Sequence, residues 1–333
     1  MKREKDDLAI GVDLGATKIA SALVTAQGEI VASRQTLTEA SEGPEAVLKR
    51  IAAEVNALAA DAPSRVLGVG IGSPGQVDPR AGVVRNAVNL GWEIAPLAAG
   101  VRSQLTADAP VWIEKDANAS AVGEYFFGAA RGCDDFVYLA VGSGLGGGVF
   151  ANGALVSGAD HNASELGHLS LDPNGRLCSC GLRGCAETVI SGKGLLALTR
   201  EKLAGQTLPT HLTTSSDLTT AAVIAAAEVG DALALAALAE VARWLGLVMA
   251  VCVAVLNPAR IVVGGGLGLA ASDFLLTGAQ SELRRRVLAS SYQHLEIRRS
   301  QLTSSAVGAA CLVWNAGQCR LSSKGGDRLD GSL

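Results

Sequence analysis

The chain opens with short apolar runs separated by glycine-containing turns. Residues 8–13 lead into the turn sequence DLGATK, residues 19–25 follow at once, and a third run of the same kind begins near Gly28. Apolar and β-branched runs bounded by turn formers are typical of strands. A Walker loop or a dinucleotide-binding loop requires a helix after its glycine turn, so both are excluded here. The pattern predicts strand, turn, strand, with backbone N–H groups and the Thr17 hydroxyl able to face a phosphate.

The remaining pattern predicts alternating strands and helices. Further strands are predicted at 66–71, 111–113, Phe136–Val141, 261–263 and 294–298. Helices are predicted at Pro44–Ala60, 191–204, 219–229, Ala232–Leu256 and 306–318. Connecting loops are predicted at 72–78, 86–92 and 205–218, and the polar tail 320–333 is expected to fray. Helix Ala232–Leu256 is apolar almost all round, which predicts that it is buried.

A second glycine-rich turn, GSGLGGG at 142–148, repeats the plan of the first. It follows a strand, and Val149 and Phe150 resume the β pattern after it. The second turn has no counterpart of Asp13 but keeps a hydroxyl, Ser143. Two matching turns indicate a duplicated α/β architecture with a nucleotide held between lobes, and Asp13 beside the phosphates would require a cation. The alternative for the first turn is an ordinary hairpin with Asp13 in solvent.

The composition fits a globular protein of about two domains. Of the 333 residues, 49% are hydrophobic and 18% are charged, so sizeable cores can be buried. Aromatic residues contribute only 4%, which leaves aliphatic side chains to fill those cores. The formal net charge is −4 and there is no long basic run. Binding to nucleic acid through a basic face is therefore disfavoured.

Neither a targeting segment nor a membrane segment is predicted. The polar start MKREKDD runs directly into LAIGV, unlike a secretory signal. The longest apolar run, 244–256, has 13 residues and is too short to span a bilayer. Seven cysteines, three of them clustered, predict a reduced cytoplasmic protein with a metal site. The scattered cysteines are expected to be packing residues, and they are Cys133, Cys252, Cys311 and Cys319.

The stretch ELGHLSLDPNGRLCSCGLRGCAE, at 165–187, carries a set of metal-ligating side chains. One imidazole and three thiols suit a single tetrahedral zinc, and they belong to His168, Cys178, Cys180 and Cys185. Turn formers between them allow the backbone to fold round an ion. The alternative is three buried cysteines beside an unrelated histidine. The clustering favours a structural zinc that braces polar residues in a cleft, with Glu165 and Glu187 on either side.

Asp116 lies where the predicted strand 111–113 passes into a helix. The ends of strands in open α/β sheets are common ligand sites. The same position is also that of an ordinary helix N-cap, which an aspartate fills well. The two roles do not exclude each other.

Segments along nearly the whole chain, about residues 8–315, resemble the ROK family of bacterial sugar kinases and sugar-responsive repressors, and within it the glucokinases. They are DLGATK, GSPGQVD, KDANASAVGE, GSGLGGG, ELGH, CSCGLRGC with Glu187, and NPARIVVGGG. The resemblance implies an α/β, two-lobed, actin-like or hexokinase-type fold, which is a duplicated ribonuclease H-like fold with a structural zinc loop. The small lobe would comprise 1–116 plus 303–333, and the large lobe, 117–302, would carry the zinc loop.

The resemblance also implies roles for individual residues. Asp116 matches the family's catalytic base, and the family's zinc ligands fall on His168, Cys178, Cys180 and Cys185. The implied sugar contacts are Asn89, Glu165, His168 and Glu187, with Lys115 and Asp116 beside them. The positions that meet the Mg²⁺-bound phosphates of ATP are Asp13, Gly15, Thr17, Lys18, Ser143 and Gly144. Adenosine is expected near Gly264, Gly265 and Gly266.

One departure from the family pattern concerns the sugar. The family usually has Asn before its catalytic Asp, and this chain has Lys115. An amide donates and accepts hydrogen bonds, whereas an ammonium only donates and would also lower the pKa of Asp116. The alternative is that Lys115 faces solvent. Smaller departures are Ser143 for Thr, Ser164 for Gly and Val88 for Pro.

The resemblance implies ATP-dependent phosphorylation of a hexose at its 6-hydroxyl, with glucose as the expected substrate. N-acetylmannosamine, N-acetylglucosamine or fructose would be phosphorylated by the same chemistry. A sugar-sensing regulator and a zinc-stabilised sugar binder are the other classes. Family repressors carry a helix-turn-helix ahead of the first strand, for which the residues before Leu8 are expected to be too few. The expected partners are a hexose, MgATP and further copies of the chain in a homodimer or homotetramer, with no nucleic acid and no membrane.

Overall fold

The computed structural model describes residues 7–205, 208–213 and 218–322, without the side chains of 317–322. The described residues divide into two compact units. The first contains 7–131, 157–162 and 301–322, and the second contains the described parts of 132–156 and 163–300. The sequence had placed the end of the first lobe at 116 and its return at 303. The difference arises because the helix after residue 116 packs against the C-terminal helix within the first unit.

The first unit is built on two sheets and four helices of the described chain. Its strands are β1 (Leu8–Leu14), β2 (Lys18–Thr25), β3 (Ile30–Leu37), β4 (Val66–Ser73), β5 (Gln76–Asp78), β6 (Val83–Ala87), β7 (Trp92–Ala95) and β8 (Val111–Lys115). Its helices are α1 (Pro44–Ala60), α2 (Leu97–Arg102), α3 (Asp116–Phe126) and α10 (Ser305–Ser322). The larger sheet has the order β3-β2-β1-β4-β8, and β5-β6-β7 form the smaller one.

The second unit has one sheet with helices packed on it. Its strands are β9 (Phe136–Val141), β10 (Leu145–Ala151), β11 (Ala154–Leu155), β12 (Arg260–Gly264) and β13 (Glu296–Arg299). Its helices are α4 (Gly192–Gly205), α5 (Thr220–Glu228), α6 (Ala232–Leu256), α7 (Gly266–Ala270), α8 (Ser272–Arg284) and α9 (Ala289–Tyr292). The strand order is β11-β10-β9-β12-β13.

The two five-stranded sheets have the same topology. In each, the first strand of the unit pairs antiparallel with the second, and the second pairs antiparallel with the third. On its other side the first strand pairs parallel with a strand that follows a helical crossover. Each antiparallel hairpin contains one of the glycine turns recognised in the sequence. The predicted duplicated α/β architecture is therefore confirmed.

Helix α10 approaches the first sheet closely at two glycines. A Cβ on Gly11 would lie 1.8 Å from the backbone oxygen of Ala306, and one on Gly70 would lie 1.9 Å from that of Ala309. Any larger residue at either position would force the helix off the sheet. The same packing brings Ser305, the first residue of α10, close enough to Asp13 for a side-chain hydrogen bond. The end of the chain thus contributes to the environment of the first glycine turn.

Helix α6 lies in the core of the second unit. Within the described chain it is the one helix that is long and apolar enough to cross a membrane. Thirteen of its residues are buried, and it packs against α8, α4 and α5. The core helix of a folded domain meets the same criteria of length and composition. The burial predicted for this segment is confirmed.

Some element boundaries differ from the sequence predictions. The predicted loop 72–78 contains β5, and the predicted loop 86–92 contains the end of β6 and a 3-10 turn at Val88–Leu90. Strand β10 begins at Leu145, inside the predicted turn 142–148. Cys133, Cys252 and Cys311 are buried, as predicted. The side chain of Cys319, the predicted tail beyond 322 and parts of the predicted loop 205–218 fall outside the described part of the chain.

Candidate functional site

The first glycine turn, residues 15–17, joins β1 to β2 in an antiparallel hairpin whose last pair is Leu14 and Ile19. The Gly15 N–H donates to the Lys18 carbonyl oxygen at 3.0 Å, which closes the turn. Ala16, Thr17 and Lys18 are exposed. The turn therefore presents its outer face to solvent, as a phosphate-binding turn requires.

Asp13 sits at the base of this turn and is only partly exposed. Burial raises the pKa of its carboxyl group, while a hydrogen bond from the Ser305 side chain and the charge of Lys18 act in the opposite direction. The alternative in which Asp13 is a solvated hairpin residue is therefore wrong. A partly buried carboxylate at the base of an exposed turn is suited to hold a hydrated cation against phosphates.

Asp116 is exposed and begins α3, directly after β8. Its Oδ1 accepts the N–H of Ala117 at 2.6 Å. The N-cap position belongs to Lys115, and no side chain caps the helix, so the predicted N-cap role of Asp116 is wrong. The aspartate is itself the first helical residue, so it lies one position past the N-cap, and its carboxylate bonds to the adjacent Ala117 N–H.

Two charged residues at the end of β8 are buried. Lys115 is 5% exposed and Glu114 is 6% exposed, so the alternative in which Lys115 faces solvent is wrong. Glu114 Oε1 accepts the Lys115 N–H at 2.9 Å and the Asn118 Nδ2 at 3.0 Å. Burial raises the pKa of Glu114, and its bonds to Asn118 and Lys115 and the charges of Lys115 and His161 counter the shift. Glu114 thus ties the end of the strand to the first turn of α3, on either side of Asp116.

Asn89 is exposed in the 3-10 turn Val88–Leu90 of the first unit. Leu90 and Trp92 on either side are buried in the core of this unit, which fixes the turn that carries the amide.

The second glycine turn is held by Glu187. The Leu145 N–H donates to Glu187 Oε2 at 3.0 Å, and the Gly192 N–H donates to the Gly142 carbonyl oxygen at 2.8 Å. A Cβ on Gly144 would lie 2.3 Å from Glu187 Oε2. A residue predicted to bind sugar is therefore in direct contact with a turn predicted to bind phosphate.

The ELGH segment packs on the start of β10. Leu166–His168 form a 3-10 turn, and a Cβ on Gly167 would lie 2.1 Å from the Leu145 carbonyl oxygen. Ser164, before this turn, has a φ of 67°, in the left-handed region, and its buried hydroxyl has no hydrogen-bond partner among the described residues. The backbone here has the conformation that glycine adopts without strain. Glu165 is exposed.

The four predicted metal ligands form one cluster. The ligand atoms of His168, Cys178, Cys180 and Cys185 all lie within 4.8 Å of one another. Cys180 Sγ lies 3.6 Å from Cys185 Sγ, and Cys178 Sγ lies 3.8 Å from His168 Nδ1. A tetrahedral zinc with Zn–S bonds of about 2.3 Å and Zn–N bonds of about 2.0 Å places its ligand atoms roughly 3.5–3.8 Å apart. The donor set and its spacing fit zinc.

The second unit provides the support for this cluster. Backbone bonds link Leu171 to Gly184 and Ala186 to Leu169, which closes the loop beneath the sulfurs. Burial and the neighbouring sulfurs raise the pKa of the Cys185 thiol to about 12. Binding of zinc must therefore displace a proton from this thiol.

The glycines at 264–266 lie at the end of β12. Gly265 has a φ of 81°, and a Cβ at this position would lie 2.4 Å from the Val141 carbonyl oxygen. Gly266 begins α7 and has open space around it. Gly265 therefore lets the strand end pack closely on Val141, and the exposed Gly266 leaves the backbone accessible to a flat ligand.

A model of the ROK family matches residues 9–316. The chain belongs to the ROK family. The predicted family resemblance is confirmed, and the fold is that of ROK hexokinases.

Relatives within the ROK family have different functions. A glucokinase from Thermotoga maritima is 35% identical over 91% of this chain and 96% of its own length. A xylose repressor from Caldicellulosiruptor bescii is 30% identical over 91% of this chain and 77% of its own length. An N-acetylmannosamine kinase from Escherichia fergusonii is 34% identical over 78% of this chain and 84% of its own length.

Solved ROK structures agree with the fold. The ROK hexokinase from Thermus thermophilus has a TM-score of 0.79 and 30% identity, covering 94% of this chain and 99% of its own. The ROK family glucokinase from Streptomyces griseus, in complex with glucose and AMPPNP, has a TM-score of 0.78 and 32% identity. That comparison covers 92% of this chain and 98% of the glucokinase chain.

The site residues predicted for this ROK protein divide between the two units. The first unit carries Asp13, Gly15, Thr17, Lys18, Asn89, Lys115 and Asp116. The second carries Ser143, Gly144, Glu165, His168, Cys178, Cys180, Cys185, Glu187 and Gly264–Gly266. Within the second unit, the metal cluster, the ELGH turn and the second glycine turn are joined by the contacts described above.

Two residues beside the predicted site were not found from the sequence. The sequence does contain an indication for Glu114, because a charged residue near the end of a buried parallel strand requires a partner. Thr38, whose hydroxyl and N–H both bind the first glycine turn, had no such signal. It lies more than 20 residues from Gly15 and follows β3, where a threonine is unremarkable.

Proposed function

We propose that this ROK protein is an ATP-dependent sugar kinase that phosphorylates the 6-hydroxyl of a hexose, with glucose as its preferred substrate. Identities of 30% or more to a glucokinase and to a ROK hexokinase over most of the chain support the kinase class. The observation that carries the proposal is the exposed carboxylate of Asp116, at the strand end where the family has its base.

The role of Asp116 follows from the chemistry of an alcohol nucleophile. A sugar hydroxyl is a poor nucleophile, and a positioned carboxylate that accepts its proton accelerates transfer by about 10²–10⁴-fold. The O6 oxygen then forms a bond to the γ-phosphorus, the bond between that phosphorus and the bridging oxygen breaks, and ADP leaves. The hydrogen bonds that the Glu114 carboxylate accepts from the Lys115 N–H and the Asn118 side chain hold the strand end and α3 together, which keeps the Asp116 carboxylate at a defined position.

The two glycine turns are proposed to bind the phosphates of MgATP. Backbone N–H groups and the hydroxyls of Thr17 and Ser143 donate to phosphate oxygens. Asp13 accepts hydrogen bonds from the water shell of Mg²⁺, which enters with ATP. The exposed Gly266, which has open space beside it, leaves room for the adenine ring at the end of β12.

The cysteine cluster is proposed to bind one structural zinc per chain. All four ligand positions are filled by protein atoms, which leaves no position for a catalytic water. The zinc therefore supplies folding energy and places the neighbouring side chains Glu165, His168 and Glu187. Metal analysis of fresh protein should return one zinc per chain, and Cys180→Ser should reduce zinc content and lower glucose affinity. Zinc-free protein with unchanged glucose affinity would contradict this role.

A sugar-sensing regulator is the second candidate, because a xylose repressor is among the relatives. Binding of a sugar without phosphorylation would support this candidate. The kinase is favoured by the combination of Asp116 with Asp13 and the two glycine turns, whose hydroxyl-bearing residues Thr17 and Ser143 are exposed, since a sensor of sugar needs neither a base nor a phosphate site.

Use of ATP is consistent with a cytoplasmic location, and the homodimer or homotetramer expected from the sequence stays a prediction that light scattering can test.

The test is phosphate transfer by the purified chain. It is incubated with MgATP and glucose, mannose, fructose, N-acetylmannosamine or N-acetylglucosamine, and ADP release is measured by a coupled assay. Phosphorus NMR of the product identifies the modified hydroxyl. ADP release with glucose and a 6-phosphate product is expected. Glucose binding by calorimetry without ADP release from any sugar would refute the kinase and favour the regulator.

A further inference from the structure

The first glycine turn presents two backbone donors that no described residue uses. In the described part of the chain, the N–H groups of Ala16 and Thr17 have no hydrogen-bond partner, and both residues are exposed. Consecutive free N–H groups in a tight turn form a concave site for an anion. A contact that directs these two N–H groups outward therefore favours phosphate binding.

Thr38 binds the opposite side of the same turn. Its Oγ1 donates to the Gly15 carbonyl oxygen at 2.7 Å, and its own N–H donates to the Thr17 carbonyl oxygen at 3.0 Å. Thr38 is fully buried. One residue therefore engages both carbonyl groups that flank the two free N–H groups.

Because the peptide bond is planar, the contact with the Gly15 carbonyl also fixes the direction of the Ala16 N–H. The Gly15 carbonyl and the Ala16 N–H belong to one peptide plane and point in opposite directions. While the Thr38 hydroxyl holds the Gly15 carbonyl oxygen inward, the Ala16 N–H must point outward. Without that bond the plane can rotate, which would present a carbonyl oxygen to a phosphate and repel it.

Thr38 is itself held in place from helix α1. Arg50 Nη1 donates to the Thr38 carbonyl oxygen at 3.0 Å, and the same guanidinium pairs with Glu39 and Glu42. Arg50 thus contacts both the Thr38 carbonyl and the two glutamates that follow it in the chain. The hydroxyl of Thr38 is positioned by the fold and is not free to rotate away with the backbone.

We infer that Thr38 is a positioning residue for the triphosphate, acting through the peptide planes of the first glycine turn. The inference rests on the proposed function, since it assigns a phosphate to that turn. Thr38 makes no contact with the reacting atoms in this account. Its contribution is to the orientation of the donors, so its loss should weaken phosphate binding and leave sugar binding unchanged.

The test compares Thr38→Val, which keeps the shape and removes the hydroxyl donor, with Thr38→Ser, which keeps the donor. Calorimetry of the full chain measures the affinities for MgATP, adenosine and glucose. Thr38→Val should weaken MgATP binding about tenfold or more, the equivalent of one lost hydrogen bond. Thr38→Ser should stay within about threefold of the original chain, and neither variant should change adenosine or glucose affinity.

The matched control is Thr36→Val. Thr36 lies on β3, two residues before Thr38, and its hydroxyl makes no hydrogen bond with the described residues. This variant should bind MgATP like the original chain. If Thr38→Val does not fold, judged by circular dichroism, Thr38→Ala replaces it, with the same expectation. Unchanged MgATP affinity in the folded variant, or equal losses for MgATP and glucose, would overturn the inference. An original chain that binds no MgATP would instead refute the proposed function.

Discussion

The contact between Gly144 and Glu187 allows a direct test of the proposed sugar site, because a change in the turn proposed to bind phosphate acts on a residue proposed to bind sugar. A Cβ at Gly144 would lie 2.3 Å from Glu187 Oε2 and 3.2 Å from its Cδ, whereas ordinary contacts begin at 3.4 Å. In Gly144→Ala, Glu187 Oε2 must therefore move by about 1 Å to reach an ordinary contact distance from the new Cβ. Oε2 is also the atom that accepts the Leu145 N–H at 3.0 Å, so such a movement disturbs that bond.

The magnitude follows from the role of the carboxylate. A hydrogen bond to a charged group contributes about 1.5–3 kcal/mol, and a misplacement of about 1 Å at a site can cost about 10²-fold. We expect Gly144→Ala to weaken glucose binding, measured without nucleotide, by about 10- to 100-fold. The original chain and the variant are compared by calorimetry, and circular dichroism confirms that both are folded.

Gly142→Ala is the matched control for this measurement. It lies in the same turn, but an added Cβ would have no heavy atom within 4 Å. Its glucose affinity, measured without nucleotide, should equal that of the original chain. A folded Gly144→Ala variant with unchanged glucose affinity would show that Glu187 is not a sugar ligand.

Three further substitutions test separate parts of the account. Asp13→Asn should raise the free energy of unfolding at pH 7, because burial raises the pKa of the carboxyl group in the folded state and the charged form is therefore disfavoured there. This gain should disappear as the pH falls below about 3.9, and MgATP use should be impaired at pH 7. Lower stability of the variant in urea at pH 7 would contradict this expectation. Ser164→Gly should raise the free energy of unfolding, measured in urea, by about 1 kcal/mol, because glycine adopts the left-handed backbone without strain and the substitution removes an unpaired hydroxyl. An unchanged free energy of unfolding would show that the backbone at Ser164 is not strained. Lys115→Asn should change the glucose to mannose ratio of kcat/KM by about 1–3 kcal/mol, and an unchanged ratio would remove the buried Lys115 from substrate selection.

The sequence predicted those parts of the site that depend on local spacing. The cluster of Cys178, Cys180, Cys185 and His168 lies within one short loop, so its chemistry could be read from composition and turn residues. The glycine turns were found because strand periodicity stops and resumes on either side of them. The duplicated sheet topology followed from the same repeat.

Other parts depend on contacts between distant residues and could not be predicted. Glu187 accepts the Leu145 N–H across 42 residues, and no local pattern indicates that a residue proposed to bind sugar also supports the second glycine turn. The burial of both Glu114 and Lys115 arises because the sheet is covered on both faces, which alternation along one strand does not reveal. The close approach of α10 to Gly11 likewise required the fold.

The most direct test of the central claim is the turnover of Asp116→Asn. The substitution keeps the shape of the exposed side chain and removes its ability to accept a proton. Asp108→Asn is the control, because Asp108 is an exposed carboxylate of the same unit that pairs with Arg102. With saturating MgATP, kcat for glucose should fall by about 10²-fold or more in Asp116→Asn, while glucose affinity and melting temperature stay close to those of the original chain. Turnover of Asp116→Asn within about threefold of both the original chain and the Asp108→Asn control would contradict the claim that Asp116 is the catalytic base.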